Sequence, residues 1–529
     1  LAMEVRRGRV LLEAGDTESA RAAFEAALAQ RPDDANALSA FADLCVAQRD
    51  WEAAEQALVR LARLLPSAEE QRDVYSRLGE LYSKNLVNLS RAEVALKEVL
   101  KRAPDDVGTA ERLVDVYKRQ NDPARAIELQ QELVRKSASP EEKRTRVIAL
   151  AAIHEQTSHD NRKAEQTLEA ARREFPQDVA VLRALAEFYT RHHQTPAFNI
   201  LLDRAGADAR RSLAAGRFSA GLFEVLGAIH DLRGKKDAAR VTQAMLAALE
   251  GRPSDLRGAG DRAFDPRLDD VLAPEVLTSA MRALLARTGD ALDAAVALDF
   301  RALRATAMSP ESPIARIATA TAQAAGLPAI QVLVSPKLGP TCLPAGSTLP
   351  TVVLGEALLQ NERHTLFLVL RALKAVQARA SAFMRTPGSE LAVLVSAWLK
   401  VFNPTWQPQG VNPAAVNAMA GRIQAALPRN LDPQVGLLAL EIAGNLGTQA
   451  AMLGSATIAW GNRVALLALG DPTTAIDSIA TAVGVKGGAP TDPKERATWL
   501  SRAGEARDLV SFGVTDAFAD ARTRLGLSG

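Results

Sequence analysis

The chain has 529 residues, of which 47% are hydrophobic, 24% charged and only 4% aromatic, and its 64 basic and 62 acidic residues leave a net charge of +2. That balance excludes the clustered basic excess of a nucleic-acid-binding surface, and two distant cysteines, Cys45 and Cys342, exclude a disulfide framework or a CxxC metal site. No run of 18 or more apolar residues occurs, so no membrane-inserted helix is expected; the most apolar stretch, 365–375, is short and carries Arg371 and Lys374.

At roughly 100–200 residues per domain the length suggests about three domain-sized units, or fewer if one is a repeat array. Abundant alanine and leucine favour helices, because both lose little freedom there. No signal peptide is recognised, and the cysteine usage points to a reducing, cytoplasmic setting. The chain opens on Leu1 inside a helix-like stretch, so a longer parent with its own N-terminal signals is the alternative.

Prolines follow helix-like segments at Pro32, Pro66, Pro104, Pro140 and Pro176, close to every 34 residues with a few small insertions. Within that frame a first unit has Gly8, Ala20, Phe24, Ala27 and Pro32. A second has Ala42, Ala54, Leu58, Leu61 and Pro66. A third has Gly79, Tyr82, Ala92, Leu96, Val99 and Pro104. A fourth has Leu113, Tyr117, Ala126 and Leu133, and a fifth has Ala164, Leu168, Ala171 and Pro176. A weaker sixth carries Leu185, Ala186 and Tyr189, and a seventh carries Leu226, Gly227, Ala239 and Leu246. Turns such as Ala14-Gly15-Asp16 and Gln120-Asn121-Asp122 suit tight reversals between helices. This pattern resembles the tetratricopeptide repeat, in which small residues let paired helices approach, large ones fill the gap to the next pair, and proline ends the second helix. The resemblance implies a helix-turn-helix solenoid of about seven pairs over residues 1–251.

The family's concave groove is lined by the first helix of each unit, at its second, fifth, ninth and twelfth positions. Mapped here, those positions include Asp43, Asp73, Glu80, Glu111, Asp115, Lys118, Arg183 and Glu187. The resemblance therefore implies a groove that is acidic in its middle and lacks the lysine–arginine–asparagine clamp that grips a C-terminal carboxylate. A basic or mixed-charge segment of another protein is the expected partner; the bland alternative is that these are solvated charges on helix faces.

Residues 252–274 read as a linker, with loop signals at Gly251-Arg252-Pro253-Ser254 and Gly258-Ala259-Gly260-Asp261. From 275 to 529 a mostly helical domain with a small β element is expected, so the whole chain is mainly α. Helical spacing covers Pro274 to Arg287 and Pro313 to Ala325. β-branched runs at Ile330 to Val334 and Thr351 to Leu354 read as two strands, and the chain is helical again after Asn361.

The order strand, hairpin-like 342–346, strand, Gly355-Glu356-Ala357-Leu358-Leu359, Asn361-Glu362-Arg363, apolar helix and, much later, Asn462-Arg463-Val464-Ala465-Leu466 resembles the zinc metallopeptidases of the HtpX and CaaX-prenyl-protease type. That chemistry requires two histidines at i and i+4, a glutamate between them and a third ligand. In this sequence Leu370 and Lys374 fall at the histidine positions and Arg371 at the glutamate. Ile458 falls at the third ligand and Asn462 at a following aspartate. The resemblance thus implies a peptidase-like domain without its metal: no catalytic, cofactor or metal residues are expected. His364, just before the apolar helix, reads as structural or exposed, and His192-His193, being adjacent, cannot share a helix face. No GxxxxGK[ST], GxGxxG or nucleophile-elbow pattern occurs.

The functional expectation is a non-enzymatic protein-interaction scaffold, within or beside a larger complex. The alternatives are a structural subunit of a large bacterial-type assembly and an enzyme with an unrecognised site.

Overall fold

Helix starts in the first part of the chain share one device. Asp16, Asp34, Asp50, Asn88, Asp106, Asp122, Asp160 and Asp178 each accept a hydrogen bond from the backbone N–H three residues on. Each thereby satisfies one of the four orphan donors of a helix N-terminus, a contribution of about 1 kcal/mol per cap. The computed structural model describes residues 2–254, 256–346, 349–446 and 448–527. Within them the chain is mainly α, with one small sheet. It divides into two compact units, Leu1–Thr195 and Pro196–Gly529.

The first unit stacks five helix pairs: Ala2–Glu13 with Thr17–Gln30, Ala35–Ala47 with Trp51–Leu64, Ala68–Glu80 with Leu89–Arg102, Val107–Arg119 with Pro123–Arg135, and Pro140–Gln156 with Asn161–Glu174. Val179–Arg191 is its last helix. The packing follows residue size. Ala20, Ala54, Ala92, Ala126 and Ala164 are fully buried where paired helices touch. At Gly8 a Cβ would lie 2.5 Å from the Phe24 ring, so only glycine fits opposite that phenylalanine.

Those five alanines are separated by 34, 38, 34 and 38 residues. Four extra residues are close to one helical turn, and the structure inserts them as one. In the third pair the first helix runs on through a π-helical turn, Leu81–Asn85, the usual way of absorbing an insertion in a helix. In the fifth pair the first helix is 17 residues long against 13 in the fourth. Adding a whole turn keeps each apolar face in phase with its neighbours.

The helices Ala220–Leu232 and Lys236–Leu249, read from the sequence as a seventh repeat, lie in the second unit. Phe223, Leu226, Met245 and Leu249 belong to the same buried cluster as Leu509 and Phe518. Gly513 is needed against them, since a Cβ there would meet the Met245 side chain at 2.1 Å. Residues 252–274, read as a linker, are docked in the same unit. Short helical turns at Gly260–Phe264, Pro266–Leu268 and Asp269–Leu272 bury Phe264, Leu268 and Leu272. The Ala259 N–H donates to the Leu467 carbonyl at 2.9 Å. Enough apolar side chains occur in this loop-like sequence to make burial more favourable than free tethering.

A four-stranded sheet forms one part of the second unit: β1 Thr306–Ala307, β2 Gln331–Ser335, β3 Cys342–Ala345 and β4 Thr351–Gly355, in the order β1-β2-β4-β3. β2 and β4 are parallel, with Leu333 opposite Val353, and the other two pairings are antiparallel. The two strands expected from β-branched runs are the central pair, and the hairpin-like segment supplies β3. β4 is buried along its whole length, between β2 and β3. The helix expected at Pro274 to Arg287 spans Ser279–Ala295, capped by Thr278. Pro313–Ala324 and Glu362–Gln377 follow, the latter capped by Asn361. Glu362–Gln377 packs most closely on Leu453–Leu469. The stretch Gln449–Leu469 has no unbroken run of 18 apolar residues, yet it is long and apolar enough to cross a membrane by length and composition; 67% of its most apolar 18-residue window is buried.

Candidate functional site

The expected groove positions lie on the first helices of the pairs and, for Arg183 and Glu187, on Val179–Arg191. Asp43, Asp73, Glu80, Glu111, Asp115, Lys118 and Glu187 are exposed, and Arg183 is half-buried. Their acidity is largely met from within the unit. Asp43 is paired with Arg77 of the next repeat, Asp73 with Arg72 at 2.9 Å, and Glu80 with Lys84 at 2.8 Å. Glu111 lies 3.6 Å from Arg146, Asp115 lies 3.9 Å from Lys118, and Glu187 lies 3.9 Å from Arg191. The Lys84 contact, ahead of desolvation, holds the Glu80 carboxyl below the usual range. The groove therefore presents alternating charge instead of an acidic stripe.

One stretch of the groove is concave. A cavity of about 330 Å³ opens between the helices Val107–Arg119 and Pro140–Gln156, walled by Glu111, Asp115 and Lys118 on one side and by Thr145, Arg146 and Ala149 on the other. Its floor breaks the repeat pattern. Phe24, Leu58, Leu96 and Leu168 fill the corresponding position of the other pairs, but the fourth pair has Gln130 there, buried to 4% exposure. The Gln130 side-chain amide donates to the Arg146 carbonyl at 2.8 Å. Arg146 is itself buried, and its guanidinium donates to the Leu133 carbonyl at 3.0 Å and to Ser137 Oγ at 3.1 Å. A buried polar pair with its partners satisfied is stable and directional. It fixes a cation at the base of an otherwise ordinary apolar interface.

Sequence reading missed Gln130, Arg146 and Ala149. Counting back from Ala164, Arg146 and Ala149 are the second and fifth positions of the fifth unit, but the extra turn in that helix hid the register. A glutamine in an otherwise apolar column was the available signal at 130.

In the second unit, the five positions implied by the peptidase resemblance lie on two adjoining helices. Leu370, Arg371 and Lys374 are on Glu362–Gln377, and Ile458 and Asn462 are on Leu453–Leu469. The helices touch at Gly461, where a Cβ would be 2.5 Å from the Arg371 carbonyl. Lys374 is 1% exposed and donates to Asp269 Oδ1 at 2.7 Å and to Gln377 Oε1 at 2.8 Å. Its ammonium also stands 4.5 Å from the centre of the Trp460 ring, a favourable cation–π arrangement. Burial pushes the Lys374 ammonium down and the Asp269 carboxyl up, and their mutual attraction opposes both shifts. Arg371, 4% exposed, reaches Glu505 at 3.4 Å. Ile458 is half-buried and Asn462 is buried. Among the described residues no group of three or more His, Cys, Asp or Glu is placed to hold a metal ion. Burial pushes the Cys45 thiol up to about 11 and the Cys342 thiol up to about 12, so both are neutral thiols at pH 7. His364 starts the first of the two helices, with its ring Nδ1 3.2 Å from Thr481 Oγ1. His192 and His193 form the turn after Val179–Arg191.

Residues 11–78 match the family model described as tetratricopeptide repeat. The match runs from the first helix of the unit to the fifth, Ala68–Glu80. No curated protein matches the chain. Among solved structures, a tetratricopeptide repeat protein from Parabacteroides merdae is 15% identical, over 46% of this chain and 90% of that one, with a TM-score of 0.27. YrrB, described as a TPR protein with an unusual peptide-binding site, is 16% identical over 34% of this chain and 90% of that one, at a TM-score of 0.26. A structure of Naa15/Naa10 bound to HypK-THB is 14% identical over 92% of this chain and 63% of that one, at 0.27. At these TM-scores the likenesses add nothing about function.

Proposed function

We propose that this chain is a non-enzymatic protein-interaction scaffold that receives a mixed-charge segment of a partner along its repeat groove, centred on the cavity between Val107–Arg119 and Pro140–Gln156. The observation that carries this reading is the cavity's polar floor. Gln130 and Arg146 replace apolar packing with directional hydrogen-bonding groups, and Glu111, Asp115 and Lys118 surround them with both signs of charge. A polar floor beside charged walls gives specificity, since a partner without matching groups strips water from those walls with no compensating bond. The local ion pairs favour a mixed-charge segment over a purely basic one, because a partner must exchange with Lys118 and Arg146 to reach the carboxylates.

The second unit, on this reading, is a peptidase-like module in which a metal has been replaced by the protein's own cation. Support comes from the adjacency of the two helices and from Lys374, whose ammonium is held by Asp269, Gln377 and the Trp460 ring. A cation would meet like charge from Lys374 and Arg371 there, not ligands.

Affinity capture with the full chain, with partners identified, tests the scaffold reading. The variant Glu111→Arg/Asp115→Arg is expected to weaken the main partner at least about tenfold, a loss of roughly 1.4 kcal/mol. Glu128→Arg, exposed on the second helix of the same pair, should leave it bound. Equal retention by both variants overturns the groove assignment. Stoichiometric zinc in the purified protein would overturn the metal-free reading of the second unit.

A further inference from the structure

The second unit contains a cavity of about 630 Å³ between the helix Lys236–Leu249, the segment that follows it, and the chain around Gly526. Four arginines line it, Arg240, Arg252, Arg257 and Arg522, and no carboxylate does so among the described residues. We propose that this cavity binds a phosphomonoester, independently of the repeat groove.

Arg522 is its fixed point. The side chain is 1% exposed, and its Nε and Nη2 donate to the two oxygens of Asp237 at 2.8 and 3.0 Å. Its Nη1 donates to the Arg257 carbonyl at 2.9 Å. These bonds use three of the five guanidinium N–H groups. Asp237 balances Arg522, and Glu250 balances Arg252 through a hydrogen bond of 2.8 Å from Nε. Arg240 and Arg257 are both exposed and have no carboxylate partner among the described residues, within which two positive charges of the concave wall are uncompensated.

Like charges gathered in a concavity repel one another and concentrate anions there. A phosphomonoester carries about −1.5 to −2 at pH 7 and offers three acceptor oxygens. It matches two free guanidinium groups in charge, and planar guanidinium forks suit phosphate geometry. The volume lies within the range of about 300–1,000 Å³ for small-molecule sites, well beyond a phosphate group alone. Ala244, Ala247 and Leu256 supply apolar wall for an organic remainder, and Gln243 supplies an amide. The phosphate could be borne by a soluble molecule or by a lipid headgroup, and the two are separable by experiment.

Calorimetric titration of the full chain with AMP, inorganic phosphate and adenosine is the test, alongside sedimentation with phosphatidylcholine vesicles with and without phosphatidic acid. AMP is expected to bind and adenosine not to bind, and binding should weaken as salt is raised. Arg240→Ala/Arg257→Ala should weaken binding at least about tenfold with an unchanged melting temperature, both side chains being exposed. Arg240→Lys/Arg257→Lys keeps the charge without the fork and should fall between. Binding to phosphatidic acid vesicles without AMP binding, and lost in the alanine variant, assigns the headgroup as the source. No binding of AMP, phosphate or phosphatidic acid at millimolar concentration overturns the proposal. So does binding that the alanine variant leaves unchanged.

Discussion

The two units differ in how their ionic groups join the chain. In the repeat unit, charge pairs bridge successive repeats at the surface: Arg77 meets Asp43, Arg21 meets Asp50 at 2.7 Å, and Arg191 meets Glu155 at 2.8 Å, with each arginine between about a third and a half exposed. The second unit has surface pairs too, but it adds buried cations paired with segments far apart in the chain: Arg522 with Asp237, Arg385 with Asp293, and Lys374 with Asp269. A repeat array needs only its neighbours, so apolar faces carry its stability and surface pairs add register. The second unit has to close long loops, and its buried cations make many directional bonds at each closure.

The largest expected effect follows from that contrast. The Arg385 side chain is 4% exposed, is paired with Asp293, and donates to the carbonyls of Pro344 at 3.1 Å, Asp293 at 3.0 Å and Val296 at 2.8 Å. Arg385→Leu leaves the Asp293 carboxylate buried without its countercharge and should cost about 3–5 kcal/mol. Arg77→Ala in the repeat unit should cost at most about 1 kcal/mol, and less at high salt. Urea unfolding followed by tryptophan fluorescence reads the first case well, because Trp398, Trp406, Trp460 and Trp499 all lie in the second unit and only Trp51 in the first. Comparable losses for the two variants would erase the distinction.

Close helix contacts give a second, smaller comparison. A Cβ at Gly461 would be 2.5 Å from the backbone carbonyl of Arg371, whereas at Gly79 it would be 2.6 Å from the tip of the Leu96 side chain. Gly461→Ala must push two helices apart, an overpacking cost of about 1–3 kcal/mol. Gly79→Ala can be absorbed by a leucine rotamer and should fall below it. Chemical denaturation of both variants checks the ranking, and a larger loss at Gly79 would reverse the assignment of rigidity.

The repeat unit was legible because its information is local. Ala20, Ala54, Ala92, Ala126 and Ala164 mark contacts between neighbouring helices, and proline follows the second helix in four of the five pairs, at Pro32, Pro66, Pro104 and Pro176. What stayed hidden depends on distant partners. Nothing near residues 220–249 announces that Asp237 meets Arg522 or that Met245 packs on Gly513, so a helix pair with repeat-like spacing was assigned to the array. Residues 252–274 read as a linker because of the turn signals at 251–254 and 258–261, while Phe264 and Leu272 find their partners elsewhere. The expected groove positions lie on the first helices of their repeats, but their charge partners are not adjacent in sequence. Asp43 and Glu111 read as acidic alone, and only the structure brings Arg77 and Arg146 beside them.

The smallest effect concerns the turn inside each repeat. The residue before the second-helix cap takes a left-handed conformation at Gly15, Arg49, Val87, Asn121 and His159, with φ of 82°, 59°, 50°, 58° and 52°. Glycine and asparagine suit that region, whereas a β-branched side chain is strained there, by roughly 1–2 kcal/mol. Val87 is 61% exposed, so replacing it removes little packing. Val87→Asn should therefore stabilise the repeat unit by about 1 kcal/mol. The control is Val94→Asn, equally exposed but in the middle of Leu89–Arg102. Valine and asparagine have similar helix propensities, so that change should be close to neutral. Hydrogen exchange of the amides in Leu89–Arg102 reads the difference within this unit, independently of the other. If Val87→Asn gains no protection over Val94→Asn, the turn stores no strain at this repeat, and its unfavourable residue is tolerated because the Asn88 cap and the π turn before it relax the backbone.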